Sequence, residues 1–184
     1  MIKKLIISTS LIIFSSHGFA QQADITDYEI PFVQYSKFPN ASLTSSKGLS
    51  ASGGSERKSV SLVRYDIGVY RERYDNKFSE FSIFFGESKS GDPSFAVGGQ
   101  DASISDLAGL TYASGIHISN HVNWALSMSL ATSKTTIDND SETEIGIGIG
   151  TRLTIIPINH LEIGLEITTS SQYSGGGLQV RFIF

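Results

Sequence analysis

The feature that most constrains this chain is a two-residue alternation of apolar and non-apolar side chains along most of its length. It is clearest where Val122, Trp124, Leu126, Met128 and Leu130 alternate with His121, Asn123, Ala125, Ser127, Ser129 and Ala131. It returns at Ile145, Ile147, Ile149, Thr151, Leu153 and Ile155, set against Glu144, Gly146, Gly148, Gly150, Arg152 and Thr154. It returns again at Leu161, Ile163, Leu165 and Ile167, and at Leu178, Val180, Phe182 and Phe184. Successive side chains of a strand leave on opposite faces, so each segment has one apolar face and one small or polar face. Less regular alternation covers Val63 to Tyr70, Glu80 to Phe85 and Leu110 to Ile118. The pattern predicts eight strands, at about residues 28–38, 58–71, 77–87, 106–118, 121–133, 143–156, 159–169 and 177–184. The facing of the first is ambiguous, and Pro31 weakens it. No run of about 18 apolar residues follows Gln21, so no transmembrane helix is expected.

The connections between these strands alternate in length. The long ones are Pro39 to Arg57, Ser88 to Ser105, Lys134 to Glu142 and Ser170 to Gly176. The short ones are Glu72 to Asn76, Ser119-Asn120 and Pro157-Ile158. Short turns at one end and longer loops at the other are the mark of a membrane barrel, as are strands of about ten residues. The face opposite the apolar one is rich in Gly, Ala and Ser with isolated charges, which suits a narrow barrel interior better than a solvated surface. The Ile- and Leu-rich faces suit lipid. The reading is therefore an all-β, eight-stranded antiparallel up-and-down transmembrane β-barrel, with a soluble exported β-barrel as the alternative. Tyr28, Phe81, Trp124, Phe182 and Phe184 fall near the same ends of their strands, where an interfacial aromatic girdle belongs.

Residues 1–20 read as a signal peptide. Lys3 and Lys4 precede the apolar stretch Leu5 to Phe14, and Gly18 and Ala20 stand two apart before Gln21. Residues 21–184 then form one barrel domain. Removing Lys3 and Lys4 leaves 12 basic residues against 18 acidic ones, a net charge of −6. That balance argues against a nucleic-acid partner, since neutralising phosphates takes clustered Lys and Arg. The absence of Cys excludes disulfides, thiol nucleophiles and an amino-terminal lipid anchor.

Three stretches carry a family likeness. They are Gly68-Val69-Tyr70-Arg71 followed by Asp75-Asn76-Lys77-Phe78-Ser79; Gly109-Leu110-Thr111-Tyr112-Ala113-Ser114-Gly115-Ile116; and the terminal Leu178-Gln179-Val180-Arg181-Phe182-Ile183-Phe184. With them the chain resembles the small eight-stranded bacterial outer-membrane proteins of the OmpX/Ail and OmpA barrel types, in the porin-like superfamily. The resemblance implies a Gram-negative outer-membrane location in contact with lipid and lipopolysaccharide. It also implies that the terminal Phe184 resembles the signal read by the barrel-assembly machinery. The likeness to two-domain members is expected to stop at the barrel, with no peptidoglycan-binding domain after Phe184.

The expected interior charges are Arg64, Asp66, Glu80, Arg152, Glu162, Glu166 and Arg181. Eight strands leave room only for side chains, and buried charges must pair, so a polar plug is expected and not an open pore. Three other motifs carry less. Gly146-Ile147-Gly148-Ile149-Gly150-Thr151 has the wrong spacing for a dinucleotide fingerprint. Asp138-Asn139-Asp140-Ser141-Glu142 lacks the Gly and the distant Glu of a calcium loop, and reads as a solvated acidic loop. His117-Ile118-Ser119-Asn120 is similar to the catalytic stretch of small outer-membrane lipid A deacylases, but lies at a turn with four strands still to come. No catalytic, cofactor or metal residue is therefore expected. The function expected is structural, or surface interaction through the external loops, with a lipid A-modifying enzyme as the alternative. Closure of all edges makes a monomer the default.

Overall fold

The computed structural model describes residues 29–43, 59–73, 75–89, 102–137 and 140–184. Residues 1–20, expected to be a signal peptide, and Tyr28 lie outside them. The described chain forms eight strands: β1 (Glu29–Leu43), β2 (Ser59–Arg73), β3 (Lys77–Lys89), β4 (Ala102–Ser119), β5 (Val122–Ile137), β6 (Asp140–Ile158), β7 (Leu161–Ser170) and β8 (Tyr173–Ile183). Each pairs antiparallel with the next, and β8 pairs with β1 to close the barrel. Call the end where β1 begins and β8 finishes the near end, and the other the far end.

The period-two faces stand as the alternation requires, and the polarity is inverted relative to a soluble protein. Leu126, Met128 and Leu130 on β5, Ile145, Ile147 and Ile149 on β6, and Leu165 and Ile167 on β7 are all exposed. Between them Ala125, Asn123, Glu144, Glu162 and Glu166 are buried. The ambiguous first strand resolves the same way. Phe32, Gln34, Ser36 and Phe38 point in, while Pro31, Val33 and Tyr35 point out.

Near-end turns are tight. Asp75 and Asn76, in the connection between the paired Arg73 and Lys77, both take positive φ, 63° and 57°. His160 does the same in the turn between β6 and β7. Turn carbonyls then continue the ladder onto later strands: Asn76 O accepts from His117 N, His121 O from Ile156 N and His160 O from Ile183 N. Phe184 N donates to Pro31 O, which fastens the last residue to the first strand.

The far end departs from the sequence reading. The third and fourth connections, expected to be long, are strand for most of their length: Ile137 pairs with Asp140, and Thr169 with Ser174. Only 44–58 and 90–101 separate their strands widely. Two bulges shift the alternation there. One lies between Phe38 and Ala41 and the other between Ser105 and Ala108, where Asp106 takes φ 53°. A bulge adds a residue to one strand, so both flanking side chains can face the same way. Phe38 and Ala41 therefore both point inward, as do Ile104 and Leu107.

Candidate functional site

All seven charged residues expected inside the barrel lie inside it, and they gather into two groups. Arg64 on β2 donates from Nε to Asp66 Oδ2 at 2.9 Å, and from Nη2 to both oxygens of Glu166 on β7 at 2.9 and 3.0 Å. Arg181 on β8 donates from Nη2 to Glu80 Oε2 on β3 at 2.8 Å, and lies 3.4 Å from Glu162 Oε2 on β7. Its Nη1 and Arg152 Nη2 on β6 both donate to Glu80 Oε1. Ionised partners in such a water-poor space interact strongly, and a bidentate fork fixes geometry as well as charge.

Several polar members were not legible in the sequence. Gln34 accepts from Arg181 Nε and Nη2 through Oε1 and donates to Ser36. A hydrogen-bonded chain leaves Glu162 toward the near end. Asn123 Nδ2 donates to Glu162 Oε1 at 3.0 Å, and Asn123 Oδ1 then accepts from His117 Nδ1 at 2.7 Å. His117 Nε2 in turn lies 3.0 Å from the Tyr70 hydroxyl, in hydrogen-bond contact with it. With both ring nitrogens engaged, His117 has none left to act as base for Ser119. The Ser119 hydroxyl instead accepts from the backbone of His121. A signal for Asn123 and His117 existed, since both sit at inward parity, but their pairing needs the β4–β5 register.

An apolar plug lies on each side of the charge network. Toward the far end Phe38, Ala41, Leu43, Val60, Leu62, Phe84, Ile104, Leu107, Ala131 and Tyr173 pack together. Toward the near end Phe32, Tyr70, Phe78 and Ala125 do so. The plugs grip the network through the guanidiniums. Arg181 stacks 4.2 Å from the Phe32 ring centre, and Arg64 stands 5.6 and 5.2 Å from those of Phe38 and Phe84. The paired charges expected from the sequence thus form a middle layer, and the apolar layers on either side of it were not expected. Beyond the bulges, the inward positions of β1, β2 and β4 turn apolar.

Glycine makes room for these rings. A Cβ on Gly68, Gly109, Gly115 or Gly177 would come within 3.0 Å of Phe32, Phe84, Phe78 or Phe38 respectively. Three of the four are direct cross-strand partners: Phe32 with Gly68, Phe84 with Gly109 and Phe78 with Gly115. What remains around Arg152, Thr111, Ser82 and Ser127 is a space of about 10 Å³ for the centre of a water molecule, enough for about one. In planar bilayers the folded barrel is expected to give no current steps above baseline. In vesicles it should pass small sugars no faster than protein-free lipid. Rapid sugar flux would contradict a sealed interior.

On the outside, Phe81, Trp124, Phe182 and Phe184 are exposed near the near end, with Trp124 Nε1 donating to Thr151 Oγ1 at 3.0 Å. A second outward aromatic row, missed in the sequence, runs Tyr35–Tyr65–Phe85 across β1, β2 and β3, and the two tyrosine rings lie 5.4 Å apart. One step further toward the far end the row reads Lys37–Val63–Glu87.

No protein-family model matches the chain, and no curated protein matches it. Its fold is shared by solved structures. Neisserial surface protein A superposes with a TM-score of 0.56 at 16% identity, over 84% of this chain and 97% of that one. Ail of Yersinia pestis, crystallised with the heparin analogue sucrose octasulfate, gives 0.55 at 9% identity, over 87% and 100%. The chain has the closed, eight-stranded antiparallel fold of the small outer-membrane barrels.

Proposed function

We propose that this chain is an integral protein of a bacterial outer membrane: a sealed, non-enzymatic barrel acting as a rigid scaffold, with any recognition carried at its far end. The observation that carries this is the inverted polarity. Ile145 to Ile155 on β6 spans ten residue steps (155 − 145), and all its outward positions but Thr151 are large and apolar. Ten steps are about 34 Å along a strand, or about 24 Å of bilayer at a tilt of ~45°, close to the apolar band of such barrels. A soluble protein exposing this much contiguous apolar surface would aggregate. The near-end aromatic residues then mark one membrane interface.

Orientation follows from the tight turns. The near end faces the periplasm, and segments 44–58 and 90–101 leave from the outer end. A rigid barrel carrying long connecting segments at one end suits surface interaction. Lipid and lipopolysaccharide are its surroundings, the barrel-assembly machinery its partner during insertion, Phe184 part of the signal, and a monomer its state. Produced in a Gram-negative host, the chain is expected in the outer-membrane fraction and should resist extraction by alkaline carbonate. Recovery in the soluble fraction without detergent would overturn this reading.

A further inference from the structure

The barrel wall steps down beside β6. β5 and β6 stay paired up to Ile137 and Asp140, but pairing of β6 with β7 stops at Gly148 and Ser170. Among the described residues, β6 residues 140–147 therefore have no neighbouring strand on their β7 side. The β7–β8 turn reaches only the lowest of them, where Ser171 N donates to Ile147 O at 3.3 Å. Backbone polar groups along a strand turn alternately to its two neighbours. Odd-numbered residues of β6 turn theirs toward β7, as Ile147 O and Ile149 O do, and Ile156 N turns to β5. The N–H and C=O of Ser141, Thr143 and Ile145 thus face the step.

The opposite edge of the same protruding sheet is closed. Pairing of β3 with β4 ends at Gly86 and Leu107. Beyond it the Ser88 hydroxyl donates to Ile104 O at 3.2 Å and accepts from Ile104 N at 2.6 Å. The β6 edge has no such cap above Ile147 among the described residues. Ile145 is 79% exposed and opens the outward apolar band, so its backbone groups stand at the boundary of the apolar layer. An open strand edge is costly there.

We propose that the β6 edge from Ser141 to Ile145 is a docking site for an extended segment of another polypeptide, which adds to the sheet as a strand above the β7–β8 turn. It rests on the reading of this chain as a membrane barrel with recognition at its far end. A row of alternating donors and acceptors matches an extended backbone, which a lipid chain cannot supply. Two copies of this chain in one membrane would run their β6 strands in parallel with the same groups opposed, which a two-fold axis cannot interleave. The neighbours set the partner's side chains. Thr143, Ile145 and Ile147 point outward, so the partner is apolar on that face. On the inner face an added Cβ at Gly146 would stand 2.5 Å from Ser171 Oγ and 2.7 Å from Gln172 Cδ, so the partner is small there.

The test uses the full chain refolded in detergent micelles, with amide exchange read residue by residue by NMR. In the chain alone, Thr143 and Ile145 are expected to exchange fast, and Glu144 and Gly146, turned to β5, slowly. The probe is a synthetic peptide alternating Val with Ser. It is expected to slow Thr143 and Ile145 by about tenfold or more and to leave Gly146 unchanged. The same peptide, fully N-methylated, is expected to have no effect. Thr143→Pro removes a donor that faces the step and none that pairs with β5, so the barrel should fold, as unboiled gel mobility shows, and the peptide should no longer protect Ile145. If that variant does not fold, the N-methylated peptide decides. Slow exchange of Thr143 and Ile145 in the chain alone would mean that the chain covers its own edge, and would overturn the proposal. So would equal effects of the two peptides, or protection of Ile145 that survives Thr143→Pro. None of these outcomes depends on where the protein resides, so the carbonate extraction can fail separately.

Discussion

Arg181→Met is expected to destabilise the barrel by about 3–5 kcal/mol, measured as urea unfolding in lipid vesicles. Arg181 is fully buried and is the one cation that touches β1, β3 and β7 from β8, through Gln34, Glu80 and Glu162. Among the described residues, removing it leaves Glu162 with only Asn123, and Glu80 with only Arg152, in a space with little water. An uncompensated buried charge is what makes breaking such a pair costly, far more than the net worth of the pair itself. The effect should therefore depend on its partner. Glu80→Gln in the Arg181→Met background is expected to cost less than Glu80→Gln alone, and a double-mutant cycle reads the difference. Additive costs would mean that the two side chains act independently. The contacts of Arg181 on β1 exist only once β8 has closed onto it, so the loss should appear mainly as faster unfolding.

The second large effect concerns glycine. Gly109→Val is expected to cost at least ~3 kcal/mol or to prevent folding, at or beyond the usual range for overpacking, with loss of the fast-migrating unboiled gel band as the first sign. The new side chain would enter the space of the Phe84 ring and the Leu130 carbonyl on either side of the strand. Phe84 cannot step aside, since it packs among Leu62, Ile104 and Leu107 and faces Arg64. Combining Gly109→Ala with Phe84→Leu should recover part of the loss of Gly109→Ala alone. The backbone carbonyl keeps the recovery incomplete. Gly176, whose added Cβ would meet only Glu166 O at 4.0 Å, is the control: Gly176→Ala is expected to be nearly neutral.

These two cases mark where the sequence was legible. Parity alone assigned Arg64, Asp66, Glu80, Arg152, Glu162, Glu166 and Arg181 to the interior, because a strand offers only two faces. It could not say that Arg64 meets Glu166 or that Phe84 covers Gly109, since those contacts depend on register between strands distant in sequence. It also failed where parity itself breaks. The bulges after Phe38 and Ser105 turn Ala41 and Ile104 inward, and the far-end apolar plug depends on them. Loop lengths misled for a different reason. The polar runs Lys134 to Glu142 and Ser170 to Gly176 read as loops, yet strands that leave the bilayer need no apolar outward face. Thr132, Lys134 and Thr143 on the outward side are what a strand above the membrane should carry. The aromatic row Tyr35–Tyr65–Phe85 was hidden likewise, since only register places three rings from three strands at one height.

The central claim is that the outward apolar face meets lipid, and Trp124 tests it most directly. It is the chain's one tryptophan, it faces outward beside Ile116 and Leu153, and no other residue shares its emission band. Reconstituted in vesicles of lipids brominated at defined carbons, its fluorescence should be strongly quenched, most by bromines near the headgroup, and it should resist aqueous acrylamide. Full quenching by acrylamide with no effect of brominated chains would place Trp124 in water and contradict a membrane barrel.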